Sequence, residues 1–299
     1  MFKNLRGFGF ILLLAFILIL AACGGETANE DALVDGDKIE LAYVTWDTEV
    51  ASTHVVGTVL DDLGYDTRLT TLDNAIMWEA IATGEADAMV SAWLPLTHAP
   101  QLEEYGDDID RLGVNLTGGK IGYVVPTYMD VDSVEDLTTE ADQTVVGIEP
   151  GSGTVAAAIE VAETYPNLQD WEVKTSSSGA MTTQLSQAIE NEEEIVVTGW
   201  TPHWKFQKYD LKFLEEPEGI IGADEDIETF ARLGLKEDNP IAYSVLENFE
   251  WEVEDIESVM LAIQEGASPE DAARNWVDEN QDKVDEWTAQ AKELATESD

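Results

Sequence analysis

From Lys38 the chain alternates short apolar runs with longer amphipathic stretches. IELAYV reads as a buried strand, Val50 to Leu63 as a helix and TRLTTL as a second strand. Asn74 to Thr83 carries a helical period closed by Gly84, and DAMVSAW is a third strand ending at Trp93-Leu94-Pro95. Strand-length apolar runs separated by helices of this size predict parallel strands joined by crossover helices. The same order then recurs. TVVGI is a strand, GSGTVAAAIEVAETY a loop entering a helix, WEVKTSS a strand, AMTTQLSQAIENEEE a helix and IVVTGW a strand. Both rounds close on a small residue, Trp, any residue and Pro, 107 residues apart. An internal echo of this kind predicts an α/β molecule of two similar lobes, each a mainly parallel sheet flanked by helices.

The lobes need connections. GGKIGYVVPTYMDVDSVEDL reads as a strand crossing from the first lobe to the second, and YDLKFLEEPEG as the return. Beyond it the chain reads mainly as helix, in DIETFARLGL, NPIAYSVLENF, VEDIESVMLAIQEG and the long stretch from Ser268. Ser268 is placed to cap that last stretch, with Pro269 at its first position and Glu270 and Asp271 in its first turn. Packing these helices back on the first lobe makes it discontinuous, 38–122 with 213–299, around a second lobe at 123–212. Two lobes, two crossings and a cleft between them describe a hinged clam shell.

The residues before Lys38 belong to a different problem. Lys3 and Arg6 precede an unbroken apolar run of 13 residues, Phe10 to Ala22. That is short for a membrane span, which needs about 20 residues, and suits the core of a signal peptide over 1–22. The run ends in Leu20-Ala21-Ala22-Cys23, which resembles a bacterial lipobox, and Cys23 is the only cysteine of the chain. Cys23 is therefore expected to carry a lipid, with 23–37 a flexible tether.

Composition changes the picture in one respect. The 299 residues hold 62 acids against 15 bases, a formal charge of −47, while the apolar fraction stays at 44%. A core is available, so this is no disordered acidic tail. Nucleic acid and anionic lipid surfaces would be repelled and are set aside as partners. An acidic surface at this density suits high salt, where screening removes most self-repulsion.

Candidate chemistry gathers at the strand ends, where open α/β sheets bind ligands. Four loops begin there, at Trp46-Asp47-Thr48, at Trp93 through His98, at Gly151-Ser152-Gly153-Thr154, and at Trp200 through Trp204. Trp78, Trp251, Trp276 and Trp287 fall on helices and Trp171 opens a strand, which suits packing. Three tryptophans converging on one cleft suit a quaternary ammonium, whose methyl groups meet indole faces with about 2 kcal/mol or more per desolvated contact. The Gly-Ser-Gly-Thr turn offers free N–H groups at a helix start, a place for an anion. Together they describe a site for a zwitterion. His98, five residues past Trp93, can donate to the same anion. His203 and Trp204 read as support for the site, and His54 as structural.

These residues resemble the extracytoplasmic glycine betaine-binding proteins of ABC importers. The likeness covers nearly the whole chain after Cys23 and is most specific in VTW (44–46), AWLPLTHAP (92–100), GIEPGSGT (147–154) and VVTGWTPHW (196–204). It implies a type II periplasmic-binding-protein-like fold. It implies that Trp46, Trp93 and Trp200 form a cage for trimethylammonium. It further implies that the backbone N–H groups of Gly153 and Thr154, with the His98 side chain, hold the carboxylate. Thr154 stands where relatives carry an aliphatic residue, which a backbone contact tolerates. The implied partners are a membrane permease and its ATPase, with membrane contact only through the lipid. No metal or cofactor is implied. The alternative ligands are carnitine, proline betaine, a sulfonium analogue or choline.

Two other classes are weaker. A secreted enzyme needs an activated nucleophile, yet no serine sits in G-x-S-x-G, and the three histidines lack metal-ligand spacing. A structural surface lipoprotein has no use for duplicated lobes with tryptophans in the cleft.

Overall fold

The computed structural model describes residues 32–221 and 224–298. The leader and Cys23 lie outside the described residues. Among the described residues nine strands form one continuous sheet in the order β2-β1-β3-β9-β4-β7-β5-β6, with β8 beside β4. The first round of the echo gives β1 (Lys38–Tyr43), α1 (Asp47–Asp62), β2 (Asp66–Thr71), α2 (Asn74–Thr83) and β3 (Ala88–Leu94). The second gives β5 (Thr144–Val146), α4 (Gly153–Thr164), β6 (Glu172–Lys174), α5 (Ser178–Glu190) and β7 (Val196–Thr201). In each trio the first strand lies between the other two and pairs with both in parallel. The duplicated sequence is thus a duplicated topology.

The middle of the sheet joins the trios and is antiparallel. Between β3 and β4, α3 (Ala99–Tyr105) follows the Trp93 loop. β4 (Ile109–Pro126) then runs for 18 residues, pairing β9 through Gly119 and β7 from Lys120. It is the crossing strand expected near 118–137, starting nine residues earlier. After β7 come α6 (Lys205–Lys208) and β8 (Leu211–Phe213), which pairs with the end of β4 on the return path.

One element departs from the sequence reading. DIETFARLGL was expected to be helical, and most of it is instead β9 (Glu225–Arg232), antiparallel to β3 and β4. Phe230 and Ala231 are both fully buried although adjacent, as are Glu228 and Thr229. A strand covered on both faces shows no alternation, and its residues do not disfavour a helix. Two waiting strand edges decided the matter.

The remaining chain is helical: α7 (Leu235–Asp238), α8 (Pro240–Asn248), α9 (Val253–Gln264), α10 (Pro269–Glu279) and α11 (Gln281–Ser298). Ser268 Oγ accepts from the Asp271 N–H at 3.1 Å, with Pro269 opening α10. α9 and α10 pack on α1, and Arg274 clamps Asp62 with two hydrogen bonds of 2.7 Å. Trp251, Trp276, Trp287 and Phe249 form one aromatic core among them, Trp276 stacked on Trp287 at 5.5 Å. Leu33 and Gly36, at the end of the expected tether, bond to the Leu63 and Gly64 carbonyls at 2.8 and 2.9 Å. Leu33 and Val34 pack on the core there, which draws these last residues onto the folded body. Among the described residues no helix is long and apolar enough to cross a membrane.

Candidate ligand-binding site

The C-terminal ends of the two trios face each other, and the loops leaving them build one small cavity. β1 ends three residues before Trp46, which occupies the position before α1 in extended conformation. Trp93 is the penultimate residue of β3, and Trp200 that of β7. All three indoles line the cavity, together with Thr48 and Thr97 from the first half and Ile148 and Thr154 from the second. Ile121, on the crossing strand, completes the wall. The tryptophans are 3 to 6% exposed, so any cation between them is largely desolvated.

Two of the three indoles are held by carboxylates. Trp93 Nε1 donates to Glu49 Oε1 at 2.7 Å, and Trp46 Nε1 donates to Glu149 from the opposite half. Trp200 differs. Its Nε1 has no partner among the described residues, and the buried Lys205 ammonium lies 4.2 Å from its ring centroid. Burial pushes Glu49 up to about 7 despite the Thr48 and Trp93 donors, and the Asp47 charge adds to the rise. Burial pushes Lys205 down to about 7 against the pull of Asp47.

The anion side rests on α4. Ser152 caps it, its Oγ accepting from Val155 N–H at 3.3 Å. The N–H groups of Gly153 and Thr154 then have no partner within the helix, as in any first turn. A Cβ on Gly153 would lie 2.3 Å from the Thr97 carbonyl oxygen, so only glycine permits this approach between the two halves. His98 is fully buried, outside the cavity lining, and stacked 5.8 Å from Trp46 at 18°. Its Nδ1 accepts the Trp93 backbone N–H at 2.9 Å, which puts the proton on Nε2, and Nε2 has no partner among the described residues. Burial pushes its pKa down to about 3, so the ring is a neutral donor at ordinary pH. A buried N–H left over in this way is costly unless something accepts it.

Beside the cavity Asp47 spans the cleft. It accepts from Ser178 Oγ at 2.8 Å and Trp204 Nε1 at 2.7 Å, and stands 3.4 Å from His203 Nε2. The last distance is long and poorly aligned, so the two shorter bonds carry the contact. Burial acts to raise this carboxyl, but His203, Trp204 and Ser178 together hold it well below the usual range. His203 also meets the Trp200 ring edge-on at 4.7 Å, and His54 bonds its own helix through Val50 O at 2.7 Å.

Sequence reasoning therefore brings Trp46, Trp93, Trp200 and Thr154 to one wall, with Gly153 and His98 next to it. It passed over Glu49, Glu149 and Lys205, and read Asp47 only as part of a loop. Each lies within five residues of a tryptophan or glycine already singled out, but the indoles that Asp47, Glu49 and Glu149 hold are remote in sequence.

Two facing α/β halves joined by a crossing strand, with a small desolvated cavity between them, define a solute-binding protein of the type II periplasmic-binding class. Residues 37–279 match the substrate-binding domain of ABC-type glycine betaine transport systems, and the chain belongs to that family. The family is one of transport proteins, not enzymes. The chain is 46% identical over 164 residues to the glycine betaine/carnitine transport binding protein GbuC of Listeria monocytogenes, covering 54% of each chain. It thus spans about half the length of that curated relative. Lactococcal OpuAC, in a closed form with glycine betaine, is 51% identical with a TM-score of 0.82, over 84% of this chain and 99% of that one. The glycine/betaine/L-proline-binding protein ProX of Borrelia burgdorferi is 31% identical with a TM-score of 0.82, over 87% and 100%.

Proposed function

We propose that this protein captures glycine betaine between two lobes, 38–122 with 213–299 and 123–212, and delivers it to an ABC permease driven by its ATPase. The observation that carries the reading is the cavity walled by Trp46, Trp93 and Trp200. Indole faces attract a cation and tolerate methyl groups, whereas a carboxylate alone favours cations that donate hydrogen bonds. The trimethylammonium sits among the three rings. The carboxylate accepts from the N–H groups of Gly153 and Thr154 at the positive end of α4, and from His98 Nε2. Closure about the two crossings seals the ligand, and the closed shape is what the permease receives.

The anchoring and the surface complete this reading. Cys23 carries the lipid after removal of 1–22, so the protein works on the outer face of the cell membrane. The large excess of acids over bases suits a salty exterior and leaves a neutral zwitterion unsteered.

Calorimetric titration of residues 24–299 with glycine betaine, choline and glycine, in high salt, tests both ends of the site. Binding of glycine betaine with little binding of choline or glycine is expected. Equal binding of choline removes the carboxylate assignment, and binding of none to a folded protein removes the function.

A further inference from the structure

Glu49 is 1% exposed and sits in the first turn of α1. Its two oxygens accept from two neutral donors, Trp93 Nε1 at 2.7 Å and Thr48 Oγ1 at 2.5 Å. Both donor residues line the cavity, while Glu49 itself does not. The charged neighbour that bears on it is Asp47, of the same sign. A buried carboxylate with no cationic partner is costly, and proteins normally supply a counter-ion or let the group go neutral.

We propose that the counter-ion of Glu49 is the ligand's own cation, and that Glu49 is the positioning residue by which the cavity prefers a quaternary ammonium to a neutral group of the same shape. The carboxylate fixes the Trp93 ring through its N–H and places negative charge at the edge of an indole whose face meets the ligand. A cation over that face interacts with the ring quadrupole and with the charge behind it; an uncharged tert-butyl group has no such electrostatic attraction. Glu149 at the Trp46 N–H repeats the arrangement from the other half. Trp200, with the Lys205 ammonium over its ring, is the exception, so the attraction is concentrated toward Trp93 and Trp46.

This rests on the proposed function, and the test separates the two. Two ligands serve: glycine betaine, and 3,3-dimethylbutanoate, its carbon isostere with the same carboxylate and no positive charge. Both are titrated calorimetrically into the wild type and Glu49→Gln, at about pH 8.5 where the carboxyl is ionised. The amide oxygen of Gln still accepts from Trp93. Glu49→Gln is expected to lose roughly tenfold in affinity for glycine betaine, the order of a weakened desolvated cation–π contact, and to keep or improve its affinity for the isostere. Glu49→Asp, which restores the charge, is expected to recover most of the preference. Parallel loss for both ligands makes Glu49 a packing residue and overturns the proposal, as does no change for either.

Should Glu49→Gln fail to fold, the ratio of the two affinities in Lys205→Met carries the same test. Lys205, fully buried beside the cavity, also changes charge near neutrality. Asp47 stays ionised, and His98 and His203, pushed down to about 3 and about 4 chiefly by burial, stay neutral. The ratio is expected to fall toward about pH 5.5 as Glu49 takes up its proton, and a flat ratio overturns the proposal. A folded wild type that binds no glycine betaine removes the proposed function and this assignment with it.

Discussion

At the residue scale the site is a set of three rings, two of which are held by carboxylates behind them. Removing any one of Trp46, Trp93 or Trp200 as alanine should cost about ten- to a hundredfold in glycine betaine affinity, from one desolvated cation–π contact and its apolar area. Calorimetry against each variant reads this directly, and an unchanged Kd would take that ring out of the cage. Lys205 yields a second expectation, on stability. Its ammonium is fully buried, and its pKa falls from 10.5 in the open chain to about 7 when folded. Between those values the unfolded chain holds the extra proton, so stability should rise with pH from about 7 to about 10.5. Lys205→Met should lose that slope, which denaturant titrations at several pH values will measure.

Elements decide how the residues meet. The start of α4 and the loop before α3 touch where Gly153 faces the Thr97 carbonyl, and Thr97 is held from behind by Glu225 at the start of β9. Gly153→Ala should leave the unliganded melting temperature nearly unchanged and reduce ligand affinity at least tenfold, since a methyl group holds the halves apart. Scanning calorimetry with and without glycine betaine separates the two effects; a large loss of Tm without ligand would place the fault in folding instead. β9 carries the opposite expectation. Phe230 is 1% exposed and tilted against Trp78 at 5.5 Å, so Phe230→Ala should cost about 3–5 kcal/mol of stability.

For the whole molecule the relevant quantities are closure and surface charge. Asp47 joins the halves through Ser178 and Trp204, beside the cavity and not in its lining. Asp47→Asn should therefore release glycine betaine faster, with the association rate little altered, as stopped-flow tryptophan fluorescence would record. Salt should act on stability more than on binding. Raising it screens the self-repulsion of a chain with 62 acids against 15 bases, so Tm should climb. Affinity for a ligand of no net charge should hold within about threefold, a bound that titrations from low to high salt will check.

The sequence by itself determined the parts that local pattern controls. Apolar runs and helical periods marked both βαβ rounds, because strand and helix leave periods of two and 3.6 in a single segment. Loops at strand ends then marked Trp46, Trp93, Trp200 and Gly153, since the topology of a parallel sheet puts such loops on one edge. Tertiary structure decided what depends on partners remote in the chain. β9 is a strand because β3 and β4 left a gap for it, although its own residues suit a helix. Glu49 became the group behind Trp93 across 44 positions, and Asp47 met Trp204 across 157. Burial then shifted Glu49 and Lys205 far from their ordinary ionisation. Hydrophobic period is written into consecutive residues, but the electrostatic surroundings of a buried charge exist only after distant segments have packed around it.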